Sequence, residues 1–211
     1  MTDPDSTQIK LLNCDCMEYM RSLPDNAFQL AVCDPPYGIN IGNGLGNGRK
    51  GYKTHKSWQM CAPGREYFNE LLRVSVNQII WGGNYFTDVL PPCDNWIIWD
   101  KKNPGLTFSE AELAWCSVHR KIRIFARCTT ARDVCGRIHP TQKPVELYRW
   151  LLRNYAQPGD RILDTHLGSG SSAIAAYDLG FDFVGTEIDR SYYDATVKRF
   201  NEYAAQKRLA I

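Results

Sequence analysis

The sequence predicts a doubly wound α/β domain on a mainly parallel sheet, and three features predict it. Phe28-Gln29-Leu30-Ala31-Val32-Cys33 is a short apolar, β-favouring run that stops at Asp34-Pro35-Pro36-Tyr37. Arg161-Ile162-Leu163 ends at Asp164, after which Gly168-Ser169-Gly170-Ser171-Ser172-Ala173 leads a helix of small residues. Phe181 to Gly185 is then a strand that delivers Glu187. Strand, glycine loop, helix, strand and acid is the layout of a nucleotide-type site at the carboxyl ends of parallel strands.

The elements follow in order. Ile9 to Asn13 reads as a strand ending at Cys14-Asp15, followed by a short helix around Met17 to Leu23 and a Pro24-Asp25-Asn26 turn. Residues 38–58 carry six glycines, the cations Arg49, Lys50, Lys53 and Lys56, and no acid, a composition that predicts a long mobile loop. A helix around Arg65 to Val76 would offer Phe68, Leu71, Leu72 and Val76 to one face. Gln78 to Trp81, Trp96 to Trp99, Glu112 to Val118 and Lys121 to Phe125 read as strands. Lys143-Pro144 opens a helix through Ala156, with proline in the first turn, where its missing N–H costs nothing.

Composition bounds the function. The 211 residues fit one domain, 1–211, large enough to bury roughly 70% of its unfolded surface. A net charge of +2 does not demand a nucleic-acid partner, so any basic surface must come from clustering. One cluster is the loop, and another is Arg120 to Arg137, where Arg120, Lys121, Arg123, Arg127, Arg132 and Arg137 face the single acid Asp133. Such runs are either a solvated face or a polyanion contact. The acidic Met1 to Asp5 lacks the apolar core of a signal peptide, and no apolar run reaches membrane-span length. A cytoplasmic protein with no membrane association is expected. Eight cysteines form no Cys-x-x-Cys pair and no histidine pair has zinc-finger spacing, so no metal site is expected and most of the thiols read as small buried hydrophobes.

Chemistry concentrates at Asp34-Pro35-Pro36-Tyr37. A residue before proline is pushed out of the helical region, so Asp34 and Pro35 are both held extended. That fixes the Asp34 carboxylate and the Pro35 carbonyl as two acceptors beside an aromatic ring, an arrangement suited to the amino edge of a nucleobase. An ordinary strand-to-turn junction would have the same letters. At the carboxy-terminal site, Gly168-x-Gly170-x-x-Ala173 with Glu187 could serve NAD in a dehydrogenase, or S-adenosylmethionine (AdoMet) with Glu187 on the ribose hydroxyls. A nucleotide-free α/β domain is the third reading. Asp164 favours AdoMet, because a carboxylate there repels a diphosphate but suits a cofactor carrying an ammonium and a sulfonium.

Taken with His139-Pro140-Thr141-Gln142-Lys143-Pro144, these segments resemble the AdoMet-dependent amino-methyltransferases of DNA, which act on adenine N6 or cytosine N4. The order, catalytic motif first and cofactor motif last, resembles their permuted β group. Trp81 to Phe86 and Trp96 to Lys101 resemble its short phage-type members. The resemblance spans nearly the whole chain. It implies a seven-stranded sheet, a small target-recognition insert at 101–137, and DNA as substrate. Asp34, Pro35, Pro36 and Tyr37 would be catalytic. Asp15, His139, Thr141, Lys143, Asp164, Gly168, Ser169, Gly170, Ser171 and Glu187 would bind the cofactor. The loop cations and Arg120, Arg127, Arg132 and Arg137 would hold DNA. Asp34 at the head of the tetrapeptide resembles the adenine branch, whereas cytosine-N4 enzymes more often have Ser. A homodimer is compatible with so short an insert, and a restriction partner is left open. The family usually has Asp-Pro-Phe where this chain has Asp164-Thr165-His166, and a packing or hydrogen-bonding role is expected for His166. Pro92-Cys93 matches the nucleophile dipeptide of cytosine-C5 enzymes but stands in a Pro-Pro-Cys-Asp-Asn turn.

Overall fold

The computed structural model describes residues 7–38, 61–105, 109–128 and 136–209. Eight strands form one sheet: β1 (Ile9–Leu12), β2 (Phe28–Cys33), β3 (Ser75–Trp81), β4 (Trp96–Asp100), β5 (Ala111–Cys116), β6 (Arg123–Ala126), β7 (Arg161–Asp164) and β8 (Asp182–Thr186). Five helices accompany them: α1 (Cys16–Arg21), α2 (Arg65–Val74), α3 (Val145–Tyr155), α4 (Ser171–Leu179) and α5 (Arg190–Leu209). The strand order is β1-β8-β7-β2-β3-β5-β4-β6. Every paired neighbour runs parallel except β5, which is antiparallel to both β3 and β4.

The doubly wound class is as read from the sequence, but the sheet has eight strands where the resemblance implied seven. Each of the eight apolar stretches read as a strand contributes one. The extra strand comes from the segment expected to be an insert: β5 and β6 complete the sheet beyond β3 and β4.

Strand β2 sits at the centre because both its faces are apolar. Leu30 and Val32 join Ile79, Trp81, Leu147, Leu151 and Ala173 on the face covered by α3 and α4. Ala31 and Cys33 join Met20, Phe68, Leu71 and Ile80 on the face covered by α1 and α2. Period-two alternation thus feeds two cores at once.

Helix α2 ends earlier than expected. The Ser75 hydroxyl donates to the Leu71 carbonyl and Ser75 is itself extended, so the chain passes from helix to strand without a linker. Val74 takes the buried position, and Val76, expected on the helix face, is an exposed residue of β3.

Parallel strands present their carboxyl ends along one edge, where Asp34 and Glu187 follow β2 and β8 and Asp164 is the last residue of β7. Because β6 is also parallel, its start lies at the opposite edge. Arg120, Lys121 and Arg123, expected beside the site at the carboxyl edge, are therefore at the amino edge. Arg120 donates to the Asn154 carbonyl and lies over the Tyr155 ring, while Arg123 lies over Trp150. No helix among the described residues is long and apolar enough to cross a membrane.

Candidate active site

The strands carrying Asp34 and Asp164 are neighbours: β2 pairs with β7 through Leu30 with Ile162 and Ala31 with Leu163. The tetrapeptide and the glycine loop, 100 or more positions apart in sequence, therefore stand side by side at the carboxyl edge of the sheet.

At the tetrapeptide, the Tyr37 hydroxyl donates to Asp34 Oδ1 at 2.6 Å. Burial pushes the Tyr37 phenol well above its ordinary range, and the acids Asp34 and Glu112 push it further, so it stays a donor. Lys143 forms an ion pair with Asp34 Oδ2 and donates to the Tyr37 hydroxyl at 3.3 Å. The same ammonium lies 3.1 Å from Glu112 Oε2, and Lys101 holds Glu112 Oε1 at 2.7 Å. The Lys143 side chain is only 3% exposed. Burial opposes its charge, yet Asp34 and Glu112 outweigh that and raise its pKa. Burial likewise opposes the Glu112 charge, and Lys143 and Lys101 outweigh it and hold Glu112 below the usual carboxylate range. Removing one partner from such a buried pair costs about 3–5 kcal/mol, so these groups persist together.

Two glycines shape the wall. A Cβ on Gly82 (φ +69°) would fall 2.1 Å from Tyr37 Cε1, and one on Gly83 would fall 2.5 Å from Trp115 Cβ. Trp81-Gly82-Gly83 thus lets Tyr37 lie against the backbone. Tyr85, in a single 3-10 turn (Gly83–Tyr85), stacks on Tyr37 with centroids 5.1 Å apart and planes 16° from parallel. It is 44% exposed.

At the glycine loop, buried Asp164 accepts from the Ser172 hydroxyl at 2.6 Å and the His166 amide at 3.0 Å. Burial nevertheless pushes its pKa up to about 7. Glu187 accepts from the Gly168 amide at 3.0 Å and the Asp189 amide at 2.9 Å. Asp15 caps α1 by accepting from the Met17 amide at 2.7 Å. Asn13 ties this end of β1 to the Glu187 carbonyl at 2.8 Å. Gly170 (φ +71°) is pressed against Thr196, whose Cγ2 would lie 2.6 Å from a Cβ. His139 hangs over the loop, 3.5 Å from a Cβ on Gly168, with Thr141 Oγ1 3.1 Å from its Nδ1. Burial and the nearby Lys143 bring the His139 pKa down to about 4, so it is neutral.

The expected residues sort as follows. Asp15, His139, Thr141, Asp164, Gly168, Gly170 and Glu187 gather around the glycine loop. Lys143, expected on the cofactor, has its ammonium on Asp34 and Glu112 instead. The hydroxyls of Ser169 and Ser171 face each other at 3.2 Å, and Arg199 holds the Ser169 carbonyl and the Ser171 hydroxyl. Ser172, not singled out from the sequence, is the serine that reaches Asp164. Glu112 and Lys101 were missed too, because nothing in a strand pattern marks a charge that an antiparallel pairing brings to the site. Arg127, at the end of β6, pairs with Glu146 at 3.5 Å, and Arg137 precedes the His139 segment. Arg49, Lys50, Lys53, Lys56 and Arg132 lie outside the described residues. Cys93 donates to the Asn95 carbonyl before β4, at the amino edge and away from Asp34.

Thr165-His166 replaces apolar packing with a polar chain. Tyr67 Oη lies 2.6 Å from Thr165 Oγ1, which lies 2.9 Å from His166 Nδ1. The His166 ring meets Tyr67 edge-on at 5.3 Å. Burial pulls its pKa down to about 4, so the imidazole is neutral and hydrogen-bonded.

The fold and the acids at adjacent strand ends define a class I methyltransferase-type domain. Residues 115–198 match the family model described as DNA methylase, N6_N4_Mtase. The Type II methyltransferase M.HinfI of Haemophilus influenzae is 26% identical over 244 aligned positions, covering 91% of this chain and 68% of that protein. The M1.HpyAVI–SAM complex superposes with a TM-score of 0.61 at 19% identity, covering 91% of this chain and all of that one. The cytosine-N4-specific PvuII DNA methyltransferase superposes at 0.63 with 12% identity, covering 93% and 91%. The chain is thus similar in sequence to N6/N4 DNA methylases over residues 115–198 and shares the fold of solved DNA methyltransferases.

Proposed function

We propose that the protein methylates the N6 amine of adenine in DNA by direct transfer from AdoMet, with Asp34 and the Pro35 carbonyl holding the amine. The observation that carries this reading is the β2–β7 pairing, which sets the Asp34 tetrapeptide beside the Asp164 glycine loop.

The chain's groups fit the cofactor. Asp15, Asp164 and Glu187 accept hydrogen bonds and repel phosphate, so the crevice suits hydroxyl, amino and ammonium groups and disfavours the diphosphate of NAD. Glu187, which already accepts from the Gly168 and Asp189 amides at the end of β8, would be the acceptor for the ribose hydroxyls. Asp164 would take the ammonium end when the cofactor is bound, and His139 and Thr141 stand over the loop. AdoMet supplies an electrophilic methyl carbon on a sulfonium.

The chain supplies the nucleophile's geometry. An exocyclic amine is a poor nucleophile because its lone pair is delocalised into the ring. Hydrogen bonds from its two N–H groups to Asp34 and the Pro35 carbonyl favour a pyramidal nitrogen whose lone pair points at the methyl. Alignment supplies much of the remaining acceleration. With AdoMet bound, the nitrogen–carbon bond would form as the sulfur–carbon bond breaks, leaving a neutral thioether, and the cationic amine would release its proton to water. The target base leaves the duplex at a cost of a few kcal/mol, offset by stacking on Tyr37, where it takes the place of Tyr85, and by contacts to DNA.

Adenine is favoured over cytosine by the aspartate at position 34. The test is transfer of labelled methyl from AdoMet to unmethylated DNA, followed by nucleoside analysis. N6-methyladenine is expected. N4-methylcytosine would move the chain to the cytosine branch, and tight NAD binding without transfer would revive the dehydrogenase.

A further inference from the structure

We infer that Glu112 is a positioning residue for methyl transfer, setting the Asp34 carboxylate through Lys143 and, together with Lys101, balancing the charge around the reacting amine. The inference rests on the proposed transfer through Asp34 and adds a residue that no motif marks.

Glu112 is brought to the site by the single antiparallel strand, where it pairs with Trp99 at the carboxyl end of β4. Its two oxygens form ion pairs with two different lysines, Lys101 at 2.7 Å and Lys143 at 3.1 Å. Lys143 passes that restraint on, because the same ammonium meets Asp34 and the Tyr37 hydroxyl. It also lies over Trp81, 5.4 Å from the ring centroid, so apolar walls leave it few other orientations. A carboxylate that must accept an amine N–H in one direction gains from having its other lone pairs fixed in advance.

Charge leads to the same conclusion. Asp34 and Glu112 against Lys143 and Lys101 sum to zero. The target nitrogen becomes cationic during transfer, so an unbalanced ammonium nearby would oppose the reaction. Glu112→Gln leaves the cluster with one excess positive charge and a Lys143 tethered only to Asp34 and Tyr37. Removing the Lys101 charge as well restores the balance.

The experiment measures kcat and KM for transfer to unmethylated DNA, AdoMet affinity by calorimetry, and the melting temperature. It compares wild type, E112Q, K101M, E112D and the double variant E112Q/K101M. E112Q is expected to lose kcat by about tenfold to a hundredfold, the range typical when the partner supporting a functional side chain is removed. AdoMet affinity and KM for DNA should stay near wild type. E112D keeps the charge with a shorter reach and should fall between the two. E112Q/K101M should recover part of the lost kcat, a non-additivity that a merely structural role would not produce. Wild-type kcat in E112Q overturns the inference, as does a K101M change that only adds to the loss. Should E112Q fail to fold, E112D decides: reduced kcat with normal AdoMet binding supports the role, and unchanged kcat overturns it. A wild-type protein that transfers no methyl would fail the proposed function itself, and this inference with it. A transferring wild type with an indifferent E112Q would fail the inference alone.

Discussion

Gly82 lies against the ring of Tyr37 so closely that a Cβ at its position would stand 2.1 Å from Cε1. The residue is also left-handed, at φ +69°, where a side chain costs about 1–2 kcal/mol. Gly82→Ala is therefore expected to lower unfolding free energy by at least that amount and to displace Tyr37 from Asp34. Urea denaturation reads the first effect. Methyl transfer reads the second, and it should fall while AdoMet binding holds, because the glycine loop is built by other strands. Full turnover in Gly82→Ala would show that the Tyr37 position does not matter for transfer.

Asp34 is the acceptor on which the proposed mechanism turns. Asp34→Ala should lower kcat by about a hundredfold or more, the scale seen when one preorganised hydrogen bond to a transition state is removed. The same change strands the Lys143 ammonium between Glu112 and an empty place, so a stability loss should accompany it. AdoMet affinity, measured by calorimetry, separates the two effects. A folded Asp34→Ala protein with near-normal turnover would sink the assignment.

The central strands were legible because they are apolar runs long enough to bury, whereas β6 alternates half-buried and exposed residues and was read from its β-favouring isoleucines. Phe28–Cys33 was readable to the residue, as were the acids at strand ends, Asp34 and Glu187 just after β2 and β8 and Asp164 as the last residue of β7. Glu112 was not, since the reach of its side chain depends on β5 running antiparallel, a fact of pairing and not of local pattern. Direction misled the reading of Arg120 as well. A basic run looks like one surface in sequence, but β6 carries its two ends to opposite edges of the sheet. Lys143 was expected on the cofactor because its motif is a cofactor motif. The half-buried acids Asp34 and Glu112 hold its ammonium in this structure. Ser172 reaches Asp164 where its neighbour Ser171 does not, because successive helical residues point about 100° apart.

That geometry divides the basic residues into two experimental groups. Arg49, Lys50, Lys53 and Lys56 leave the catalytic strand directly in sequence, and replacing all four with Ala should flatten the salt dependence of DNA binding. Each phosphate contact removed is worth about one unit of log–log slope, and affinity for all sequences should fall together. Among Arg127, Arg132 and Arg137, at least one replacement should relax sequence choice at a single base pair. Arg120→Ala should do neither. Its guanidinium is at the amino edge, bound to the Asn154 carbonyl and over Tyr155, so the expected cost is in melting temperature. A salt slope that responds to Arg120 and not to the loop cations would place the DNA on the opposite face.

Asp164 gives a prediction whose sign follows from burial. Its pKa is raised from 3.8 to about 7, so the folded protein holds a proton there that the unfolded chain has already released. The stability this contributes is fully present below the unfolded value and is lost as pH rises through about 7. His139 and His166 act in the other direction and lower down. Their pKa values fall from 6.5 to about 4, so their contribution is present above 6.5 and lost as pH drops through about 4. Between pH 6.5 and about 8, Asp164 therefore dominates among these three groups, and the free protein should melt at a lower temperature at the alkaline end. AdoMet carries an ammonium and a sulfonium, which favour the ionised carboxylate. Its binding should release a proton near neutrality, and the melting-temperature gain it confers should be larger at about pH 8 than at about pH 6.5. Calorimetry in buffers of different ionisation enthalpy counts the proton directly. Asp164→Asn should abolish the proton release, flatten the melting profile over this window and weaken AdoMet binding at every pH. Proton release that survives in Asp164→Asn would assign the titration to another group and remove Asp164 from the ammonium end of the crevice.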